Sequence, residues 1–547
     1  MKRIIIAIMA LSLLVCCFAG FVGCGSKQDE GTITIRNLYF ENWSAQEGDP
    51  YIQFMQNKFG IKFKTSTYSF EDWNTQVNSS VLGGQVPDVF QANVTSYNFE
   101  KFYTYWAKGE VTKALPSDLS NWPNLKKMIE SVADLDYLKY NGKLYGIPVL
   151  RNLNTSSEAS FAPFTYMYRR DVAKNLGVYQ EDDIYTWEQF EALLAAFKVE
   201  FAKTGGYALG DSEWGYPSVL NFYKTAPHCF AELEDGTIVN NYYTDEYQAG
   251  LAKAKQFVDN RWYYLGQVQV AEQQNQVKKQ YTSKKLGVFY ENLSLANYLQ
   301  IRDAFVKADP GISDEALNDC TAIMKVKGPD GKYALEGQEQ WFSMVFLNYD
   351  ISEAKMNKIL DIFDWLLSEE GTMMALYGIE GQDYEILGAN SVNYDIEYKG
   401  QKIKLLSSGN LWEKSGKGEY VDAWNGVKYM RNVVTLGHDI DVGDPIIQNT
   451  RKKKAAYDIL NDWTSFMNSQ YDPDPAKTNL KVLTEPADVK WMQTKEKLKN
   501  AGTLLDDANT MVLLYSFGRK SFSEYRSAMT NSTWTTVLRE INANRKK

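Results

Sequence analysis

The sequence predicts an α/β fold divided into at least two lobes, because of its length and the order of its elements. The chain has 547 residues, more than one hydrophobic core normally organises. Patterns typical of strands and helices alternate from residue 32 onward, which favours right-handed βαβ units on a mainly parallel sheet. In sheets of this kind, ligands bind beyond the carboxyl ends of the strands.

The alternation is clearest between residues 32 and 90. Residues 32–40 are rich in β-branched side chains, which is typical of a strand. A helix follows, with Asp49 as its cap, Pro50 in its first turn and Gly60 as its left-handed stop. The next predicted elements are, in order, a strand over 61–68, a helix ending at 83–84 and a strand beginning at 88.

Three later elements also have clear sequence signals. A turn over 142–146 leads into one strand, and residues 164–168 form another. Thr186 and Gln189 have the spacing of a capping box and begin a helix with one apolar face. That face consists of Phe190, Leu193, Leu194, Phe197 and Phe201, and we interpret it as core. The last third of the chain is mostly helical by pattern.

The N-terminal residues resemble a bacterial export signal with a lipidation site. Lys2 and Arg3 precede an apolar stretch, and Phe21-Val22-Gly23-Cys24 resembles a lipobox in which Phe21 replaces the usual leucine. We therefore expect residues 1–23 to be a signal peptide, Cys24 to carry a diacylglyceryl anchor and residues 24–31 to form a tether. The alternative is an uncleaved membrane anchor, for which the apolar stretch is short.

Composition excludes several classes of function. The formal net charge of −9 disfavours a nucleic-acid partner. Two histidines are too few for a multi-histidine metal site, and no complete EF-hand spacing is present. We predict no cofactor and no metal site. Of the five cysteines, only Cys229 and Cys320 lie beyond the signal and Cys24, and either a bridge between them or two buried thiols fits the sequence.

Seven short segments carry a resemblance to a known family. They are residues 58–61 (KFGI), 83–90 (GGQVPDVF), 121–125 (NWPNL), 141–148 (NGKLYGIP), 168–172 (YRRDV), 185–190 (YTWEQF) and 377–384 (YGIEGQDY). In this order, behind a lipobox, they resemble the family 1 extracellular solute-binding lipoproteins of carbohydrate ABC importers, in particular the long Gram-positive members. The resemblance implies a periplasmic-binding-protein-like fold, with two α/β lobes joined by a crossing-strand hinge and a ligand cleft between them.

The same resemblance implies a division of the chain and a set of partners. Lobe 1 would contain residues 32–165 and about 341–400, and lobe 2 would contain residues 166–340 and about 401–547. The protein would be a monomer anchored by lipid at the extracellular face of the membrane. It would bind a sugar or oligosaccharide and pass it to the permease subunits of an ABC transporter.

A sugar cleft needs aromatic platforms for the apolar faces of the rings and polar groups for the hydroxyls. We selected aromatic, amide and charged residues near strand ends or near the interlobe crossings. The candidate ligand-binding residues are Trp43, Asn93, Arg151, Asn152, Trp214, Glu291, Asn292, Trp341 and Trp424. Glu291 and Asn292 are chosen because an alternating strand pattern over 284–292 ends with them.

Three alternatives remain open at this stage. A cleft of similar construction binds peptides or other polar solutes, and the receptor could present its ligand to a membrane sensor instead of a permease. A glycoside hydrolase needs only two suitably spaced carboxylates, which 68 acidic residues cannot exclude. Because no nucleophile elbow, phosphate loop or histidine zinc motif is present, we predict no catalytic residues and no enzymatic activity.

Overall fold

A computed structural model of the protein shows a mixed α/β architecture with two five-stranded sheets. The structure describes residues 30–39, 50–69, 73–94, 100–132, 135–150, 164–212, 217–264, 274–337, 341–406, 412–414, 420–422, 451–485, 489 and 501–545. The predicted α/β fold class is confirmed. None of the helices in these ranges is long and apolar enough to cross a membrane.

The strands are numbered in chain order. They are β1 Thr32–Tyr39, β2 Lys62–Ser69, β3 Val89–Ala92, β4 Lys139–Tyr140, β5 Lys143–Leu144, β6 Gly146–Leu150, β7 Phe164–Tyr168, β8 Ile184–Tyr185, β9 Tyr207–Asp211, β10 Phe230–Glu232, β11 Ile238–Asn240, β12 Leu286–Asn292, β13 Ala322–Val326, β14 Tyr333–Glu336, β15 Trp341–Leu347, β16 Tyr384–Leu387, β17 Ile396–Tyr398, β18 Gln401–Leu405, β19 Trp412–Lys414, β20 Tyr420–Asp422 and β21 Leu480–Leu483.

The first sheet has the strand order β2-β1-β3-β15-β6. Strands β1, β2 and β3 are parallel, whereas β15 runs antiparallel to both of its neighbours, β3 and β6. The sheet is therefore mainly parallel, as predicted, with one reversed strand. That strand comes from about 190 residues further along the chain than β6.

The second sheet has the order β8-β13-β7-β12-β9. Here β12 is parallel to β9 and β13 is parallel to β8, and the reversed strand is β7, which lies antiparallel to both β12 and β13. Each sheet thus contains one strand that runs opposite to the other four. In the second sheet this strand, β7, directly follows β6 of the first sheet, and in the first sheet the reversed strand, β15, directly follows β14, which pairs with β21.

The α-helices cover both sheets and form most of the C-terminal part. They span Pro50–Phe59, Trp73–Leu82, Tyr105–Lys108, Pro123–Glu130, Arg170–Asn175, Trp187–Ala202, Asp245–Asp259, Gln274–Thr282, Leu295–Ala308, Asp314–Cys320, Glu353–Leu366, Glu369–Tyr377, Arg451–Gln470, Ala501–Ser516, Phe522–Met529 and Ser532–Asn544. Shorter helical turns span Glu100–Thr104, Leu135–Leu138, Glu181–Asp183, Ser218–Phe222 and Asn241–Tyr243.

Two predicted helix ends are confirmed. The backbone N–H of Gln189 donates to the Thr186 hydroxyl at 3.3 Å, and the Thr186 N–H donates to Gln189 Oε1 at 2.9 Å, so the capping box forms. All five residues of the apolar face of this helix are buried, as predicted. Gly60, which ends the first helix, has φ = +63°, a conformation that favours glycine.

The hydrophobic core is divided in the same way as the two sheets. One cluster packs around the first sheet, with Ile33, Phe90 and Phe346 among its buried residues. Three further clusters surround the second sheet and the C-terminal helices. Ile403 and Leu405 of β18 belong to the first cluster, although the sequence assigns residues from about 401 to lobe 2. The lobe boundaries themselves remain a prediction.

Cys229 and Cys320 are both free and buried. Of the two arrangements that the sequence leaves open, the structure has the buried thiols. Burial raises the pKa of both thiols.

Gly287 allows the helix Trp187–Ala202 to lie against β12. A Cβ atom on Gly287 would lie 2.2 Å from Cδ2 of Phe197 and 2.9 Å from Cε2 of Phe201. Because both rings are buried, we expect Gly287→Ala to lower the free energy of unfolding by about 1–3 kcal/mol, the usual effect of overpacking. Urea denaturation would measure this. Gly388→Ala is the control, since a Cβ on Gly388 meets nothing within 4 Å, and an equal loss in both variants would contradict the explanation.

Candidate functional site

At one edge of the first sheet, four of its strands reach their carboxyl ends. Strands β1, β2, β3 and β6 all point the same way, and β15 begins at the edge where they end. Asn93 directly follows β3, and Trp341 is the first residue of β15, with Leu150 as its Cα partner. Two of the predicted ligand-binding residues, Asn93 and Trp341, therefore lie at one edge.

The end of β3 is held by two hydrogen bonds. The Gln91 side-chain amide donates to the Ser343 hydroxyl at 2.7 Å across the β3–β15 pair. The Trp73 indole N–H donates to the Gln91 carbonyl oxygen at 3.0 Å. Both bonds are buried, so the backbone that leads into Asn93 has a fixed position.

The corresponding edge of the second sheet collects the ends of β9, β12 and β13 and the start of β7. It contains Asp211, Glu291 and Asn292 at strand ends and Phe164 at a strand start. The strand predicted to deliver Glu291 and Asn292 to its carboxyl end is thus confirmed as β12.

Strand β14, which pairs with β21 outside the five-stranded second sheet, directly precedes β15 of the first sheet in the chain. Only residues 338–340 separate Gly337, which follows β14, from Trp341, which begins β15 in the first sheet. Four peptide steps span at most about 14 Å when fully extended. A second connection leads from Leu150 at the end of β6 to Phe164 at the start of β7. Gly337, which follows β14, therefore lies within about 14 Å of the carboxyl edge of the first sheet.

A recess lies at the edge of the second sheet. It is lined by Phe164, Thr165, Tyr166, Ser218, Asn221, Phe222, Tyr290, Val326, Tyr333, Ala334, Leu335 and Met467. The recess holds about 320 Å³ of empty space, part of which is open solvent. Its enclosed part has room for a group about the size of one or two water molecules.

Aromatic rings form much of this lining. Tyr290 is stacked on Phe164, with ring centroids 5.9 Å apart and an interplanar angle of 25°, and its ring is 4.8 Å from that of Tyr166. Tyr166 also stacks on Phe222 at 6.4 Å. Tyr166 and Tyr290 are buried, whereas Phe164 is only partly buried. Phe164 is therefore the ring in this group with the most surface for a ligand.

Polar groups of the recess form a connected network. The Tyr166 hydroxyl donates to Ser218 Oγ at 2.8 Å, and Ser218 Oγ donates to Asp211 Oδ1 at 2.7 Å. The Ser218 N–H donates to Asp211 Oδ2 at 2.9 Å. Asn221 donates from Nδ2 to the Tyr290 hydroxyl at 2.6 Å. These bonds fix the turn Ser218–Phe222, which forms one wall of the recess, to the ends of β9 and β12.

Asp211 is fully buried beneath that wall. Burial raises the pKa of Asp211 from 3.8 to about 7, although the hydrogen bonds from Ser218 act in the opposite direction. The folded protein thus holds a proton that the unfolded chain releases at lower pH. Stability from this group is fully present below about pH 4 and is lost as the pH rises through 7.

We expect Asp211→Asn to remove this pH dependence. Between pH 5 and pH 9, the free energy of unfolding of the wild type should fall by about 2–3 kcal/mol relative to that of the variant. Chemical denaturation at a series of pH values would measure the difference. Asp303→Asn, at an exposed helical position, is the control and should run parallel to the wild type. Parallel curves for Asp211→Asn would contradict the titration of Asp211.

An ion pair joins the recess wall to the crossing. Lys224 Nζ pairs with Glu336 Oε1 and also donates to the Pro227 carbonyl oxygen at 3.3 Å. Glu336 is the last residue of β14, one position before Gly337. Burial alone would raise the pKa of Glu336, but Lys224 and His228 more than offset it, so this pKa is lowered from its ordinary value.

The remaining predicted site residues have different surroundings. Trp341 is 1% exposed within the first core, where it offers a ligand almost no surface, and Glu291 is also buried. Glu291 Oε1 accepts from the Asn292 N–H at 2.8 Å, and Asn292 Oδ1 accepts from the Ser294 N–H at 3.0 Å. Both side chains therefore support the turn after β12. Their roles in binding, like those of Asn93 and Trp341, stay predictions.

Six predicted residues lie outside the described part of the chain: Trp43, Arg151, Asn152, Trp214, Trp424 and the lipidation residue Cys24. Phe164, Tyr290 and Asn221 line the recess but are not among the predicted residues. The sequence position of Phe164 does favour a place at the site, because Phe164 begins a predicted strand directly after the expected crossing. The sequence position of Asn221 does not, because its place at the recess depends on a turn packing on a distant strand.

The described residues contain no group of three or more His, Cys, Asp or Glu side chains arranged to hold a metal ion.

Residues 51–355, more than half of the chain, match the family model described as bacterial extracellular solute-binding protein. The chain belongs to this family. The resemblance identified from the seven sequence segments is thereby confirmed, and the family places this solute-binding protein outside the cell.

Relatives of this solute-binding protein are diverse in sequence. The polygalacturonan/rhamnogalacturonan-binding protein YtcQ of Bacillus subtilis (strain 168) is 23% identical over 322 residues. These residues make up 56% of this chain and 58% of the relative, so the chain matches less than two thirds of that protein's length.

Solved structures share the fold over nearly the whole chain. The alginate-binding protein AlgQ2, solved without calcium ion, has a TM-score of 0.61 and 16% identity, covering 94% of this chain and 97% of its own. A solute-binding protein from Bifidobacterium longum infantis, named as HMO-binding and ABC-transporter-associated, has a TM-score of 0.60 and 14% identity, with the same coverage. The periplasmic-binding-protein-like fold is thereby confirmed for this solute-binding protein.

Proposed function

We propose that this protein captures an oligosaccharide outside the cell and delivers it unchanged to an ABC importer, while Cys24 anchors it to the membrane by lipid. The observation that carries the proposal is a recess lined with aromatic and hydroxyl groups at the carboxyl edge of the second sheet. The chain leaves its β14 wall and reaches the carboxyl edge of the first sheet within four residues, at most about 14 Å. Ligands of such folds bind at these edges, and a ligand that touches both favours a closed arrangement.

The chemistry of the recess suits a sugar. The Phe164 ring offers an apolar face of the kind that packs against the C–H face of a sugar ring. The Tyr290 hydroxyl and the Asn221 amide combine donors and acceptors, as sugar hydroxyls do. Relatives named for binding polygalacturonan, rhamnogalacturonan, alginate and HMO support a carbohydrate over a peptide.

The division into two lobes supports delivery by a closing motion. We propose that lobe 1 contains the first sheet and lobe 2 the second, joined by the crossing-strand hinge that the family resemblance implies. Closure of the lobes over a ligand would create the shape that permease subunits recognise. The proposed monomeric state and the absence of catalysis follow the same scheme, in which the ligand leaves with all of its bonds intact.

A panel of oligosaccharides in a thermal-shift assay would test binding. We expect at least one glycan to raise the Tm, small-angle scattering to show contraction with that glycan, and no new reducing ends to appear on prolonged incubation. Turnover would indicate a hydrolase, and a peptide that binds more tightly than every glycan would reject the sugar ligand.

Experiments in cells would test the remaining parts. Deletion of the protein should abolish uptake of the radiolabelled glycan, whereas normal uptake with a lost transcriptional response would indicate presentation to a sensor.

Cys24→Ala should release the protein from the membrane fraction. Retention of that variant would reject the lipid anchor in favour of an uncleaved membrane segment.

A further inference from the structure

The recess at the edge of the second sheet has a lining without ionised side chains. None of the twelve described residues that line it is Lys, Arg, His, Asp or Glu. We propose that the recess receives an uncharged sugar unit, through a hydroxyl or hydroxymethyl group, and discriminates against a uronate. The inference rests on the proposed function and narrows its substrate class.

The hydrogen bonds within the recess are the first support for an uncharged ligand. Three hydroxyl hydrogens are already donated to protein acceptors: that of Tyr166 to Ser218, that of Ser218 to Asp211, and that of Thr165 to the Met324 carbonyl oxygen at 3.3 Å. The Tyr290 hydroxyl is one of the few hydrogen-bond donors that remain for a ligand. An entering carboxylate has only acceptors and needs several donors or a cation, whereas a sugar hydroxyl both donates and accepts.

The charges behind the lining are the second support. Asp211 lies beneath Ser218 and accepts hydrogen bonds from its hydroxyl and its N–H, and burial raises the pKa of Asp211 to about 7. In its ionised form, Asp211 would repel a second carboxylate beside it. The nearby cation Lys224 is already paired with Glu336. Lys481 is the partner of Ala334 in the β14–β21 register, and burial lowers its pKa, which disfavours its charged form.

The charge of the whole chain also disfavours a uronate ligand. With 59 basic and 68 acidic residues, the protein has a formal net charge of −9. A polyuronate would approach this surface against a repulsive field, and a neutral glycan would not. The inferred ligand class thus differs from the polyuronates in the names of two of the relatives.

Pairs of oligosaccharides that differ only at C6 would test the inference. Isothermal titration calorimetry would compare galactotriose with trigalacturonate, mannotriose with trimannuronate, and glucotriose with its glucuronate counterpart, each pair with matched linkage. We expect binding by a neutral member of the panel and at least about tenfold weaker binding by its uronate. A uronate that binds more tightly than its neutral counterpart would overturn the inference while leaving oligosaccharide capture intact.

A charge-gain variant would locate the discrimination in the recess. Ala334 lines the recess and is partly exposed, so Ala334→Lys adds a cation at that point, and Ala334→Met adds similar length without charge. We expect Ala334→Lys, but not Ala334→Met, to raise the affinity for the uronate relative to its neutral partner by at least about tenfold. An unchanged ratio in folded Ala334→Lys would overturn the inference. Failure of every glycan, neutral or acidic, to bind would reject the proposed function itself.

Discussion

Phe164→Ala is expected to weaken oligosaccharide binding by about 1–3 kcal/mol, which is about 5- to 150-fold in Kd. The ring lies at the start of β7, where the chain enters the second sheet, and Tyr290 supports it by stacking at 5.9 Å. A supported, partly exposed aromatic ring loses little conformational freedom when a sugar ring packs on it. Titration calorimetry with the best glycan of the panel would measure the change.

Two further variants separate a role in binding from a role in folding. Phe164→Tyr keeps the ring and should retain wild-type affinity within about threefold, a range that corresponds to less than 1 kcal/mol. Phe522→Ala makes the same substitution at a ring that is 43% exposed on the helix Phe522–Met529. It should leave Kd unchanged. Normal affinity in folded Phe164→Ala would remove Phe164 from the site.

Local sequence patterns predict the elements of this fold better than their pairing. The cap at Thr186 and the stop at Gly60 depend on a few neighbouring residues, and both occur where the sequence places them. The position of β15 between β3 and β6 depends instead on contacts with residues about 190–260 positions away. No local pattern encodes such a pairing, and the resemblance to a known family implies only that residues from about 341 return to lobe 1.

Local sequence patterns predict the candidate site less well than they predict the fold. The sequence predicts Trp341 as a ligand-binding residue because it is an aromatic residue near a crossing, but β15 lies in the interior of its sheet and buries the ring. Phe164 has the local pattern of a core residue, yet it lines a recess because Ser218, Tyr290 and Tyr333 come together around it. Exposure at a strand end is set by distant parts of the chain, so residue type and strand position alone could not distinguish these two aromatics.

Lys224→Met is expected to lower the free energy of unfolding by about 2–3 kcal/mol. Removing one partner of a fully buried ion pair typically costs about 3–5 kcal/mol, because the other charge remains without compensation. We expect somewhat less here, since the Glu336 side chain keeps 24% of its surface exposed while that of Lys224 keeps 10%. For a lobe of about 320 residues, the Tm should fall by roughly 3–5 °C, measured by calorimetry.

The control for this variant is the same substitution at an exposed pair. Lys520 and Glu524 are 2.7 Å apart, with side chains 40% and 48% exposed, so Lys520→Met should cost less than about 1 kcal/mol. The double variant Lys224→Met/Glu336→Leu should recover most of the lost stability, because it leaves no buried charge. Equal losses for Lys224→Met and Lys520→Met would show that the Lys224–Glu336 pair contributes no more than a surface contact.

The pH dependence of the Lys224→Met effect distinguishes lost charge from lost packing. The pKa of Glu336 is lowered in the folded protein, so its contribution to stability is present above its ordinary pKa and is lost as the pH falls through the folded value. Without Lys224, burial favours the protonated form of Glu336, which carries no charge. The stability difference between wild type and variant should therefore be larger at pH 8 than at pH 4. A difference that does not vary with pH would assign the effect to the packing of the lysine stem, and the end of β14 beside the crossing would then be held by apolar contact.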